Sequence, residues 1–204
     1  MNINLIKENS ICVFDVDDTL LKSNSKIRFI QNGVHKELST EEFAKIRKEL
    51  GNIELDLSDF RDGEKVYNHL MSARPHLPGL AFLDYAVNQG IKIGILTNRG
   101  PKNVIWKAMN QFLKYKNYST NKIEKLPKHL FKKKYVYSVY DSKMTEYINK
   151  NYPNATDDVK YLILKDFFLN RMKFNKIYFF DDDTGNIDHV KKSKDKRIEA
   201  ILIK

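Results

Sequence analysis

The stretch ICVFDVDDTLL, residues 11–21, decides how the rest of the chain is to be understood. Ile11–Phe14 are apolar without alternation, as in a parallel strand buried on both faces. The run stops at Asp15, and a second acid follows at Asp17. Residues two apart in extended or tightly turning backbone face the same side. Both carboxylates are therefore expected at the carboxyl end of a strand, the edge at which open α/β sheets bind ligands. Two acids so placed repel one another unless a cation lies beside them, and oxygen donors suit a hard ion such as Mg²⁺.

Three further segments extend this pattern. In FFDDDTGNID, residues 179–188, an apolar strand again runs into acids, Asp181, Asp182 and Asp183. If the two strands are neighbours, their ends make one metal site. In IKIGILTNRG, residues 91–100, a buried strand ends in Thr97, followed by Asn98, Arg99 and a helix start. Hydroxyl, backbone N–H groups and helix dipole together form an anion cradle. In TDDVKYLILK, Lys160 stands near a helix start, with Lys165 as its competitor. A lysine in the first turn is the better placed to reach back toward the strand ends.

Five apolar segments read as strands: 11–14, 91–96, 135–139, 177–180 and 198–203. Helical stretches separate them. One over 80–89 follows Pro78-Gly79 and stops at Gly90, and one over 101–113 opens on Pro101. Another over 157–171 has Thr156 as N-cap with Asp157 and Asp158 in its first turn, and a shorter one covers 186–192. This alternation predicts an α/β fold, a three-layer Rossmann-like parallel sheet of about five strands with helices on both faces. Residues 21–78 interrupt the rhythm. Gln31-Asn32-Gly33 between two apolar runs signals a tight hairpin, and Ser39-Thr40-Glu41-Glu42 a capping box opening a helix to about residue 50. The expected division is a core of residues 1–20 and 79–204 with a small structured insertion, 21–78, after the first strand.

The 204 residues, 42% hydrophobic and 12% aromatic, suffice for one packed domain. No apolar run approaches the length of a membrane span. Asn2, Asn4, Lys7, Glu8 and Asn9 occupy the place of a leader's apolar run, and a lone Cys12 excludes internal disulfides. A reducing, cytoplasmic setting is expected. The net charge of +10 gathers in residues 114–134, where eight lysines face one glutamate, and in Lys191, Lys192, Lys194, Lys196 and Arg197. Such surfaces attract anions, including nucleotides or nucleic acid, and are equally readable as solvated lysines. Tyr115, Tyr118 and Phe131 among them are stacking platforms or, more simply, anchors to the core. The five histidines lack zinc-ligand spacing.

The order and strand-end placement of these four motifs resemble the haloacid dehalogenase-like phosphatase superfamily, over about 11–21 and 79–203. The resemblance implies Asp15 as a nucleophile that becomes an aspartyl-phosphate, and Asp17 as general acid–base whose backbone carbonyl also reaches the metal. It implies Thr97, with Asn98, as phosphate-binding and Lys160 as the partner of nucleophile and phosphate. Asp182 would ligate Mg²⁺ directly, with Asp181 and Asn186 acting through water. The insertion takes the place of a family cap, and its small size implies a fairly open site. It also resembles bacteriophage proteins of this superfamily. Arg99 is similar in position to a phosphate-contacting arginine of polynucleotide kinase phosphatase domains. The expected activity is Mg²⁺-dependent hydrolysis of a phosphate monoester, the substrate being a phosphorylated small molecule or nucleotide. The alternatives are a 3′- or 5′-polynucleotide-end phosphatase or nucleotidase, and a non-catalytic interaction protein on the same fold.

Overall fold

A computed structural model describes residues 8–47, 49–51, 53–117, 120–155 and 159–204. From β1 (Ser10–Phe14) the chain enters the insertion: β2 (Leu21–Lys22), β3 (Ile27–Gln31), β4 (Val34–Leu38), α1 (Thr40–Ile46), β5 (Leu55–Asp56), α2 (Ser58–Arg61), α3 (Gly63–Ser72) and β6 (Arg74–Pro75). The core resumes with α4 (Leu77–Asn88), β7 (Lys92–Thr97), α5 (Lys102–Phe112), β8 (Lys114–Asn117), β9 (Lys122–Lys125) and β10 (Phe131–Ser138). It closes with α6 (Ser142–Asn151), α7 (Val159–Ile163) running into a π-helical segment (Leu164–Arg171), β11 (Lys176–Asp181), α8 (Thr184–Lys192) and β12 (Ile198–Leu202).

The five expected strands form one parallel sheet in the order β10-β7-β1-β11-β12. β1 is central, and the chain crosses first to one side of it and later to the other. That reversal leaves a crevice beyond the carboxyl ends of β1, β7 and β11. Alternation along β1 divides the interior. Cys12 and Phe14 face α4 and α5, while Ile11 and Val13 face α6, α7 and α8. Each fully buried side chain of this size contributes about 1.5–3 kcal/mol, so both helical layers are held firmly to the sheet. Cys12 has no exposed surface, and burial pushes its thiol well above the usual range. Tyr115 and Phe131 are buried anchors, whereas Tyr118 lies outside the described residues. No helix among the described residues is long and apolar enough to cross a membrane.

The insertion leaves and rejoins the core through a two-stranded neck, Leu21 opposite Pro75 and Lys22 opposite Arg74. Beyond it β3 pairs with β4 around Asn32 (φ 52°) and Gly33 (φ 75°), the left-handed pair a tight hairpin requires. Ser39 and Glu42 cap α1 reciprocally, as the sequence pattern implies, but the helix ends at Ile46 rather than near residue 50. Not all of the insertion stands apart. Val66 and Leu70 of α3 share the interior with Ile105 and Met109 of α5. The helix expected from residue 80 starts at Leu77, so Pro78 falls within a first turn that tolerates a missing N–H. The expected cap at Thr156 with Asp157 and Asp158 lies outside the described residues.

The loop after β1 is shaped for tightness. The amides of Leu20 and Leu21 both donate to the Val16 carbonyl, and Asp18 is left-handed at φ 53°. The start of α4 presses against this loop, and a Cβ on Gly79 would lie 1.8 Å from the Thr19 carbonyl oxygen. Backbone cannot yield that distance without moving the loop. Gly79→Ala should lose at least about 2 kcal/mol of stability, read from denaturant melts. An unchanged midpoint would refute the packing described.

Candidate active site

The carboxyl end of β1 delivers Asp15 beside the end of β11. Phe14 is in register with Phe180, and the Asp15 amide extends the ladder by donating to the Phe180 carbonyl at 2.9 Å. Asp181, the last residue of β11, and Asp182 then stand next to Asp15. One carboxylate oxygen from each of Asp15, Asp181 and Asp182 lies within 4.8 Å of the others. This cluster, largely buried, is able to hold a metal ion through hard oxygen donors.

Lys160, the second residue of α7, is 5% exposed and reaches back from the helix start. Its Nζ donates at 2.8 Å to Asp15 Oδ1 and at 2.8 Å to Asp181 Oδ2. Burial works against its charge, and the two carboxylates more than reverse that, so the ammonium keeps its proton. The competing Lys165 is not among the residues lining this cavity, and its charge is felt at Asp195. Asp181 is further fixed by the Asp183 amide at 2.9 Å and the Asn186 side chain at 3.1 Å. Asp182 accepts from the buried Thr19 hydroxyl at 2.9 Å, which explains why the loop of residues 15–21 is wound so tightly.

One ammonium facing three carboxylates leaves an excess of negative charge. Burial, only partly offset by Lys160 and reinforced by Asp181, holds Asp15 well above the usual carboxylate range. Burial and then Asp181 raise Asp182 to about 7. A cation among these acids would offset the same repulsion that favours their protonation.

Thr97 ends β7 beside β1 and is 1% exposed, and it lines the cavity above the carboxylates together with exposed Asn98. The Thr97 hydroxyl accepts from the Arg99 amide at 3.2 Å. Arg99 itself departs from expectation. Its guanidinium is wholly buried and does not reach the cavity. Nε and Nη2 grip the two oxygens of Asp17 at 2.7 and 2.6 Å, and Nη2 also donates to Ser23 and Ser25. Nη1 donates to the Asp59 carbonyl, and the Phe60 ring lies 4.6 Å beneath. The reason is local supply: the neck and α2 surround the guanidinium with acceptors before any substrate could. Asp17 is correspondingly bound on both oxygens, with Ser23 at 3.1 Å, and its carboxylate stands outside the three-acid cluster.

The insertion contributes Thr40, Phe43 and Arg47 to the cavity, in which Asp15 is only 6% exposed. Phe43 and Arg47, from α1 and its end, overhang a cavity of about 160 Å³. Arg47 clamps Asp183 at 2.8 Å across the opening, and the Thr40 hydroxyl donates to Asp18. Phe43, Arg47 and Tyr140 also line an adjoining cavity of about 380 Å³ that extends toward Thr145 and Ile148. Sequence reasoning missed Thr19, Arg47, Ser23 and Ser25. Only the order Thr19–Leu20, a polar residue beside buried apolar ones, hinted at any of them.

A divalent cation should raise the melting temperature, and Asp182→Asn should abolish the rise. The sign with pH is set by the raised acids. Between about 4 and about 7 the folded protein holds a proton on Asp182 that the unfolded chain has released, so metal-free stability drops as pH climbs through that window. Cation binding displaces that proton, so each pH unit below about 7 should cost at least about tenfold in apparent affinity. Calorimetric titration from pH 5 to 8 measures this, and a flat profile would contradict the cluster described. No protein-family model and no curated protein matches the sequence.

Proposed function

We propose that this protein is a haloacid dehalogenase-like phosphatase that hydrolyses phosphate monoesters with Mg²⁺ through a phosphorylated Asp15. One observation carries the reading: Asp15 projects from the central strand into a cavity, shares Lys160 with Asp181, and stands within reach of Asp182. A carboxylate destined only for structure would be fully paired; here Lys160 engages Oδ1 and leaves Oδ2 for attack.

Mg²⁺ bound by Asp15, Asp181 and Asp182 would offset the repulsion between a phosphate dianion and the attacking carboxylate. Asp15 Oδ2 attacks phosphorus as the bond to the leaving oxygen breaks, giving an aspartyl-phosphate. Thr97, Asn98 and Lys160 hold the phosphoryl oxygens as charge shifts among them. Asp17 takes a proton from solvent on an oxygen released by Arg99 and gives it to the leaving oxygen. It then takes one from water, which attacks phosphorus and releases inorganic phosphate while Asp15 is regenerated. To do so Asp17 must free one oxygen from the Arg99 grip, which makes Arg99 a positioning residue. The second cavity, walled by Tyr140 and Ile148, is suited to the leaving group. The basic clusters do not line either cavity, so a small phosphorylated molecule is favoured over a strand end as substrate.

A Mg²⁺ screen of sugar phosphates, nucleotides and end-phosphorylated oligonucleotides tests the activity. Asp15→Asn should abolish turnover with the fold retained, and Asp17→Asn should lower kcat by about 10²–10⁴-fold. Wild-type rates in Asp15→Asn would refute the mechanism. Arg99→Lys separates two roles: loss of Asp17 positioning lowers kcat and shifts its pH profile, whereas loss of a phosphate contact would raise KM with kcat intact.

A further inference from the structure

The two basic clusters do not serve the site, because the topology carries them to the opposite edge of the sheet. α5 leaves the carboxyl end of β7 and returns, so residues 113–117 and 120–131 sit where β10 begins. The Asn88 side chain, at the end of α4, donates to the Lys116 carbonyl, which ties β8 to the same edge. Likewise α8 returns from the end of β11, bringing residues 191–197 to the start of β12.

Contacts join the two clusters into one band. At the β10 end the Lys134 ammonium lies 5.3 Å from the Tyr135 ring, which meets Phe174 edge-on at 5.7 Å. Lys92, at the start of β7, lies 5.4 Å over that same Phe174, and Lys173 is exposed beside it. At the other end Lys176, at the start of β11, donates to the Lys196 carbonyl at 3.1 Å. The band crosses five strands, about 19 Å at the usual spacing. Acids on this edge are outnumbered: Glu124 accepts from Tyr115, Glu199 takes Lys176, Asp195 takes Arg197, and Glu8 stands exposed before β1. Lys132, Lys133, Lys191, Lys192 and Lys194 are exposed and make no ion pair with a described residue.

We infer that this band is a nucleic-acid-binding face that grips the phosphate backbone independently of the carboxylate site. Phosphodiesters are the ligand the surface fits. The row of ammonium groups spans several phosphates, and the rings within it, Tyr135 and Phe174, are buried and unable to stack on bases. A membrane is the poorer partner, since of the large exposed apolar side chains among the described residues only Ile123 belongs to these basic segments. Binding is therefore sequence-independent, and a duplex, with its denser charge, binds at least as well as a single strand.

The test is fluorescence anisotropy with a labelled 20-base-pair duplex and the matching single strand, from 50 to 200 mM salt. With about four phosphates engaged, the log–log salt slope for the duplex is about −3.6, a loss of about two orders of magnitude in affinity over that range. Lys133→Glu with Lys194→Glu should weaken binding at least tenfold and flatten the slope. Lys36→Glu with Lys45→Glu, an equal charge change on the insertion, should leave it within about twofold. Asp15→Asn should bind as wild type, which separates failure of this face from failure of the catalytic reading. Absence of binding at 50 mM salt, or equal losses in both double variants, would overturn the inference. Lysine-dependent binding to phosphatidylserine vesicles without binding to either nucleic acid would also overturn it, in favour of a membrane surface.

Discussion

The Lys160 ammonium, wedged between Asp15 and Asp181, is the contact on which the site depends. Two parallel strands ending side by side bring their terminal acids together whether or not electrostatics favours it. Without a buried cation the repulsion would splay the strand ends or protonate them. Lys160 permits the packing, but it cannot neutralise Asp182 as well, and that residual charge makes the cluster receptive to a divalent ion. An ammonium replaced by a neutral side chain would leave buried, unpaired carboxylates, which is the costly way to break such an arrangement.

A second buried cation extends the same logic outward. Arg99 begins in the core, two residues past Thr97, yet it is bonded to Ser23, Ser25 and the Asp59 carbonyl of the insertion as well as to Asp17. It thus ties the insertion to the side chain that flanks the cavity. Arg47, from the insertion, grips Asp183 from the other direction. The insertion is therefore braced at two points across the cavity mouth, and its neck between β2 and β6 has little freedom to splay. Asp59 reinforces the brace by taking Arg28 through both of its oxygens, so the hairpin β3–β4 is held to α2 rather than standing free.

Much of this was legible because burial leaves a strong trace in sequence. Ile11–Phe14 and Ile177–Phe180 are short apolar runs broken by acids, and that pattern located both strands and the ends at which their acids gather. The family resemblance called for a lysine, and its place in the first helical turn favoured Lys160 over Lys165. Arg99 was not legible, because where a guanidinium points depends on which acceptors surround it, and these come from residues 23, 25 and 59. The same holds for Arg47 and Asp183, separated by 136 positions. The hairpin β8–β9 was hidden by its lysines. Its period-two signal, exposed Lys114, buried Tyr115, exposed Lys116, is too short to stand out against a lysine-rich background.

Charge and chain direction are correlated throughout the molecule, and the correlation has a physical limit. In a parallel sheet with returning helices, helix N-termini gather at the carboxyl edge and C-termini at the amino edge. Acids at the first edge and lysines at the second both complement the helix dipoles. Asp183 capping α8, and Lys191 and Lys192 in its last turn, are accounted for in this way. The effect fades within one turn, however, and cannot explain Lys132 and Lys133 on a strand. Like charges accumulated there beyond what the helices require raise the free energy of the folded chain. An anionic partner on that edge would relieve the repulsion, just as a divalent cation would relieve the opposite repulsion among Asp15, Asp181 and Asp182.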